Sequence, residues 1–336
     1  MSLNVGVVGC GYWGPNLVRV LDSMPDVRVK TLCDTDASAL EKMQARHPAV
    51  ATTKDYNEVL GDDGIDAVVL TLPAIFHAEY TLRALDAGKH VFVEKPIAMN
   101  AEEADRIAAA AAGKNLTVMA GHLLLYHPGV RYMKELVDSG ELGRIYYIYS
   151  QRLNFGLVRT QENALWSLAP HDISVLLYLL GELPSVVSAN GESYIQENVQ
   201  DTVFAHLAFS DKKLAHVHVS WLDPSRVRRF TVVGEKKMAV FDDVAQAEKV
   251  RIFNKSVERP TYSSYGEVFT LRYGDIHIPH VEMSEPLKIE CRHFVDCVTG
   301  GEKPLTGVSE GRDVVKVLCA AQESLENGGK RVEIVP

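Results

Sequence analysis

The chain has 336 residues, of which 46% are hydrophobic and 24% charged, with a formal net charge of −9 and a pI near 5.8. That length allows two domains and a substantial core. The acidic balance, with no long basic run, argues against nucleic acid or an anionic membrane as a partner. No apolar stretch reaches the ~20 residues that span a bilayer. The few residues ahead of the first expected strand are too short for a signal peptide, so the expected location is the cytoplasm. The five cysteines, Cys10, Cys33, Cys291, Cys297 and Cys319, are odd in number and lack CxxC spacing. Neither a disulfide framework nor a zinc site is expected from them.

In chain order, residues 4–8 read as a short buried strand. Gly9-Cys10-Gly11-Tyr12-Trp13-Gly14 follows, then Trp13, Leu17, Val18, Leu21 and Met24 at helical spacing. The apolar run 27–33 is a second strand, and Asp34 ends it, twenty residues beyond Gly14. Strand, glycine turn, helix, strand and acid make up the dinucleotide-binding fingerprint. Gly9 permits the tight turn, Gly11 lets the backbone approach a pyrophosphate, and Gly14 lets the helix pack close to the strand. The helix N-terminus then faces the anion. Asp34 would accept hydrogen bonds from the adenosine ribose and repel a 2′-phosphate, which favours NAD over NADP.

The spacing next predicts a helix over 37–46, a buried strand over 66–71, a helix over 78–87 and a strand over 90–93. Asn100, with Glu103 three residues on, reads as a capping box for a helix that ends at Gly113. One more strand covers 117–120. This alternation predicts an α/β, doubly wound parallel Rossmann sheet over residues 1–120. Residues 121–336 are expected to form a second domain for substrate binding and oligomerisation, with a large, mostly antiparallel open sheet. Its helices are predicted at 128–138, 170–180, 286–298 and 309–327. Its strands fall near 145–149, 185–195, 200–209, 213–221, 227–233, 238–242 and 249–254. Residues 255–283 read as a long loop with short strand pieces over the active site. The last helix is a candidate to pack back on the first domain.

Val93-Glu94-Lys95-Pro96 follows a strand of the nucleotide half. Ligands of doubly wound sheets lie outside the carboxyl ends of the strands, which places Lys95 beside the nicotinamide end. Pro96 restricts Lys95 to extended geometry and raises the question of a cis bond. The cationic stretch Arg226-Val227-Arg228-Arg229 is read as a solvated strand or turn, with a contact to an anionic substrate group as the alternative. His216 and His218 share one face of a strand, but no third ligand accompanies them. They are assigned to a polar sheet face or a subunit interface, and His277 and His280, which flank Pro279 in the poorly patterned loop, are assigned likewise.

The chain resembles the glucose-fructose oxidoreductase / inositol dehydrogenase (Gfo/Idh/MocA) family. The resemblance is carried by the glycine motif with Tyr12 and Trp13, by Thr71-Leu72-Pro73 with His77, and by Ala87-Gly88-Lys89-His90-Val91-Phe92-Val93-Glu94-Lys95-Pro96. It continues through Gly121-His122 with Tyr126 and Pro128, and through Pro170-His171-Asp172-Ile173 to Gly181. It implies that Gly9, Gly11, Tyr12, Trp13, Gly14, Asp34, Thr71, Leu72, Pro73, His77, Glu94, Lys95 and Pro96 surround the cofactor. It also implies that a histidine on the first helix turn after the domain crossover, here His171, works with Lys95. Family members commonly carry aspartate four residues before that histidine; this chain has Ser167 there. Asp172 is adjacent, but neighbours on a helix do not share a face. Family members commonly pair through the second sheet, so a homodimer or homotetramer is expected.

The expected chemistry is hydride transfer between nicotinamide and a secondary alcohol or ketone of a sugar or nucleotide-sugar. His171 would be the acid–base and Lys95 the donor to the developing alkoxide. Candidate substrate contacts are Lys95, His122, Tyr126, Arg152, Asn154, Trp166, Ser167 and His171, with Arg159, Gln161 and Asn163 on the approach. The stretches around Arg152-Leu153-Asn154 and Leu165-Trp166-Ser167 look like the branch acting on nucleotide-linked sugars. Two further readings stay open: a regulatory protein that binds NAD without turnover, and a reductase of another small carbonyl compound.

Overall fold

The computed structural model describes residues 2–156, 158–160, 162–258 and 269–334. The chain divides into two units. One comprises Met1–Tyr126 and Ser284–Lys316, the other His127–Met283 and Val317–Pro336.

In the first unit, β1 (Leu3–Val8), β2 (Val27–Cys33), β3 (Ala51–Thr53), β4 (Ala67–Leu70), β5 (His90–Glu94) and β6 (Val118–Gly121) form a parallel sheet. Its order is β3-β2-β1-β4-β5-β6, with the reversal between β1 and β4 that marks a doubly wound fold. The connecting helices are α1 (Gly14–Asp22), α2 (Ala37–Arg46), α3 (Tyr56–Leu60), α4 (His77–Asp86) and α5 (Ala101–Ala111). Central strands are buried on both faces, which is why they read as unbroken apolar runs. Helix starts follow local chemistry: Asp36, Asp55 and Asn100 each accept a backbone N–H of the first turn. The short β3 and α3 escaped the sequence reading, because three residues of strand and five of helix carry no measurable period.

In the second unit, α6 (Pro128–Asp138), β7 (Ile145–Leu153) and α7 (Ala164–Leu180) precede β8 (Val186–Glu192), β9 (Thr202–Ala208) and β10 (Leu214–Ser220). They are followed by β11 (Val227–Gly234), β12 (Met238–Asp242), β13 (Val250–Glu258) and β14 (Thr270–His277). Near the C-terminus come α8 (Pro286–Gly300), α9 (Val308–Glu326) and β15 (Val332–Glu333). The sheet runs β14-β13-β12-β11-β7-β10-β9-β8-β15, and among the described strands only β7 and β10 pair in parallel. The face carrying Ile148, Val217, Ala205 and Val232 is buried, and α7 lies against β7, β9 and β10.

Three readings need correction. Helix α7 begins at Ala164, not near Pro170, because Asn163 caps it by accepting from Trp166 N–H. Pro170 is inside the helix, where it removes one donor from the turn. Residues 255–283 are less irregular than read: β13 continues to Glu258 and pairs with β14. Every residue of β14 is exposed, so no apolar face gave it a strand period; residues 259–268 lie outside the described part. Third, α8 belongs to the first unit, where Arg292 pairs with Asp26 at 2.7 Å, and α9 starts in that unit and ends in the second.

Candidate active site

The glycine loop between β1 and α1 is forced by close approach. Gly9 has φ +99°, and a Cβ there would stand 2.7 Å from the Thr71 carbonyl oxygen. A Cβ on Gly14 would lie 2.2 Å from the Gly9 carbonyl oxygen. A Cβ on Gly11 would meet nothing within 4 Å. Gly9 and Gly14 are therefore required by the fold, while Gly11 faces open space. Trp13 occupies the N-cap of α1 without a side-chain cap, and no acidic residue enters the first turn. Tyr12 is exposed. At the end of β2, Asp34 accepts the Cys10 N–H at 2.6 Å and the Asp36 N–H at 2.9 Å, which aims its carboxylate at the loop. The Thr71 hydroxyl donates to the Gly9 carbonyl at 2.5 Å and ties the third loop to the first. Burial, the Asp34 charge and the neighbouring Cys33 push the Cys10 thiol up to about 12; burial, Asp34 and acids on α3 push Cys33 up to about 11. Both are buried packing residues.

His77 opens α4 with its ring buried between two loops. Nδ1 lies 2.7 Å from the Pro96 carbonyl oxygen and Nε2 lies 2.8 Å from that of Leu72. Burial lowers its pKa, and the two carbonyl contacts oppose that. His77 thus straps the Thr71-Leu72-Pro73 loop to the segment after β5. Lys95 is half-buried and its bond to Pro96 is cis. Glu94 is buried and accepts the Lys95 N–H at 3.3 Å. Burial raises it to about 7, against the pull of the Lys95 charge. His122, just past β6, is 1% exposed, and both ring nitrogens lack a hydrogen-bond partner among the described residues. Burial and the Lys95 charge push it down to about 4. The Tyr126 hydroxyl reaches His293 Nδ1 at 2.9 Å and Thr306 Oγ1 at 3.3 Å.

The second unit holds the other candidates. His171 is half-buried, about two turns into α7 rather than on its first turn. Ser167, one turn earlier on the same face, is buried. Asp172 points to the sheet, where it is fully buried and bonded to Arg152 Nε. Burial raises the Asp172 carboxyl, and the Arg152 charge opposes it. Arg152 and Asp172 thereby compensate one another's charge. Asn154 accepts from Arg228 Nη2 at 2.7 Å. Arg228 is not the solvated strand residue that its cationic surroundings suggested. It is half-buried and donates to the Leu153 carbonyl at 2.8 Å, and burial with the nearby Arg152 lowers it to about 10. Its register partner on β7 is Arg152, a cross-strand neighbour that no linear motif signals. Trp166 is buried, and its Nε1–H donates to Gln322 Oε1, which also accepts from Asn163. Arg159 pairs with Glu162, and Gln161 lies outside the described residues. Lys95 belongs to the first unit and His171 to the second.

A parallel sheet in this order, a glycine turn against α1 and an acid at the end of β2 define a dinucleotide-binding fold. Residues 3–122 match the family model described as an oxidoreductase family with an NAD-binding Rossmann fold, and residues 130–240 match the GFO/IDH/MocA C-terminal domain. The chain belongs to the GFO/IDH/MocA oxidoreductases. An uncharacterized oxidoreductase of Bacillus subtilis, YrbE, is 26% identical over 96% of this chain and 94% of its own. A myo-inositol 2-dehydrogenase of Thermotoga maritima is 23% identical over 96% of both chains. The solved structure of GenD2 from gentamicin A biosynthesis in complex with NAD has a TM-score of 0.84 at 24% identity, covering 100% of this chain and 97% of that one. NAD is the cofactor, and the loop fits it: Gly11 leaves room for the pyrophosphate, and Asp34 is held ready for ribose hydroxyls.

Two outcomes follow from this geometry. Gly14→Ala should lower the melting temperature, because a methyl group collides with the Gly9 carbonyl oxygen. Gly11→Val should melt as the wild type does but lose NAD affinity by isothermal titration; equal affinity would place the pyrophosphate elsewhere. His122 is buried in its neutral form with a folded-state pKa near 4 against 6.5 for the free side chain. Its contribution to stability is therefore complete above pH ~6.5 and fades as pH falls through ~4, up to about 3 kcal/mol in all. Urea unfolding across that range should show a shallower acid-side loss for His122→Leu than for the wild type.

Proposed function

We propose that the protein interconverts a secondary alcohol and a ketone on a sugar or nucleotide-sugar, with Lys95 and His171 acting on the same oxygen. The observation that carries this reading is the arrangement around Lys95. The ammonium-bearing residue follows β5 directly at the carboxyl edge of the parallel sheet, and His77 ties the adjoining segment to the loop after β4. NAD, when bound, supplies the hydride acceptor or donor. His171 takes the hydroxyl proton as the carbinol carbon is oxidised and returns it in reduction, since an imidazole titrates near neutral pH. Lys95 donates to the developing alkoxide. The Arg152 ion pair fixes Asp172, the residue next to His171, against the sheet and so limits how α7 can rotate. The named relative acting on myo-inositol, a cyclic polyol, supports a polyhydroxylated ring as substrate. Asp34 supports NAD over NADP, because its carboxylate would oppose a 2′-phosphate.

The same reading includes self-association through the outer face of the second unit's sheet. Tyr147, Tyr149, Phe204, His206, His216 and His218 lie there, opposite the face covered by α7. The rings of Phe204 and His218 stack at 4.2 Å, and His206 and His216 approach at 3.3 Å between their Nδ1 atoms. A continuous aromatic surface of this kind suits a second copy.

Lys95→Ala and His171→Ala should each lose ~10²–10⁴ in turnover while keeping NAD affinity. The assay is NADH absorbance with a panel of sugars, inositols and UDP-sugars. Unaltered turnover in both variants, or a silent panel with NAD still bound, overturns the assignment. In sedimentation velocity the wild type should run as a dimer or larger, and Phe204→Asp with His218→Glu should run as a monomer. A monomeric wild type removes the association.

A further inference from the structure

Behind Lys95 lies a group of ionisable side chains that the proposed reaction does not use. Phe92 and Phe294 meet edge to face at 5.7 Å and lock α8 to β5. Glu94 follows Phe92 by two residues and so shares its face of the strand. Glu290 precedes Phe294 by one turn and shares its face of the helix. The contact between the two rings therefore brings the two carboxyl groups toward one another. Gly121, the register partner of Glu94 on β6, makes room for it: a Cβ there would lie 3.2 Å from both Glu94 Cδ and Oε2. Glu290 is 1% exposed, and its Oε1 has no hydrogen-bond partner among the described residues.

The charges around the pair are unequal. Glu94 faces Lys95, whose charge favours the ionised form. Glu290 faces Glu94, whose charge opposes ionisation, and among the described residues no cation compensates it. Cys291, the next residue on α8, faces Glu290, Glu94 and Glu285, with Arg19 beyond them, and its buried thiol is pushed up. His122 is neutral at ordinary pH and adds no charge. An isolated carboxylate is costly to bury, and two coupled carboxylates in one dry site do not both ionise.

We propose that Glu94 and Glu290 form a carboxyl pair holding one proton at mildly alkaline pH, with the proton on Glu290 and the negative charge on Glu94 facing Lys95. Glu290 is then a positioning residue. It lets Glu94 stay ionised as the counter-charge that holds the strand end bearing Lys95, without putting a second negative charge beneath it. This arrangement does not depend on the reaction assigned above, and each measurement is read on the whole protein without substrate.

The experiment is infrared spectroscopy of the protein in D₂O at about pH 8, above the ordinary carboxyl range. The wild type should carry a protonated-carboxyl band that E290Q removes and E94Q retains. Lys95→Met deletes the cation facing Glu94, so Glu94 also takes up a proton and the band from the pair should roughly double. Stability gives a second readout. A carboxyl whose folded pKa lies above its unfolded value stabilises at low pH and loses that contribution as pH rises through the folded pKa. The melting temperature of the wild type should fall more steeply between about pH 5 and 8 than that of E94Q. A band that persists at wild-type intensity in E290Q, or that Lys95→Met leaves unchanged, overturns the proposal.

Discussion

The turn between β1 and α1 works only because the chain passes within contact distance of itself. The Gly14 Cα faces the Gly9 carbonyl oxygen so closely that a methyl group would stand 2.2 Å from it, and Gly9 itself presses on Thr71. From that approach follow the position of the α1 N-terminus, the Thr71 hydroxyl that closes the next loop and the Cys10 amide that holds Asp34. Two loops from distant parts of the chain are registered by hydrogen bonds to one glycine turn. The geometry of the glycine loop thus rests on backbone packing first and on side-chain chemistry second.

Buried charge shapes the rest of both units. In the first, Glu94 and His122 are shut away beside Lys95 and Glu290 beside Glu94, and burial moves each toward its neutral form. In the second, Arg152 and Asp172 compensate one another beneath the helix that carries His171. Buried ionic pairs seldom add much net stability, yet removing one partner leaves the other uncompensated at a cost of about 3–5 kcal/mol. Their effect here is to restrict the ways in which α7 and the segment after β5 can sit. The residues assigned to catalysis are each attached to such a restrained element.

Particular residues show how far linear reading reaches. The glycine fingerprint, Asp34 and the capping box at Asn100 are local patterns with fixed spacing, and their elements appear where spacing placed them. Proline is usually an opening residue, which favours a start of α7 at Pro170, whereas the Asn163 side chain caps the helix before Ala164. The cationic neighbours of Arg228 in sequence suggest a solvated residue, whereas its partners, Leu153 and Asn154, lie at and just past the end of another strand. Glu290 had a signal that went unused. It falls in the apolar stripe Leu287, Glu290, Cys291, Phe294, where an acid must be buried.

The sequence by itself determined what depends on near neighbours: the strand–turn–helix that approaches a dinucleotide, the alternation that builds a parallel sheet, and the family to which these motifs belong. Only the tertiary structure decided which charges compensate one another, because burial and Coulomb interactions act through space between strands and helices far apart in the chain. The Phe92–Phe294 contact, which brings a carboxyl of α8 toward a carboxyl of β5, joins residues about two hundred positions apart. No period or spacing along the chain encodes that distance.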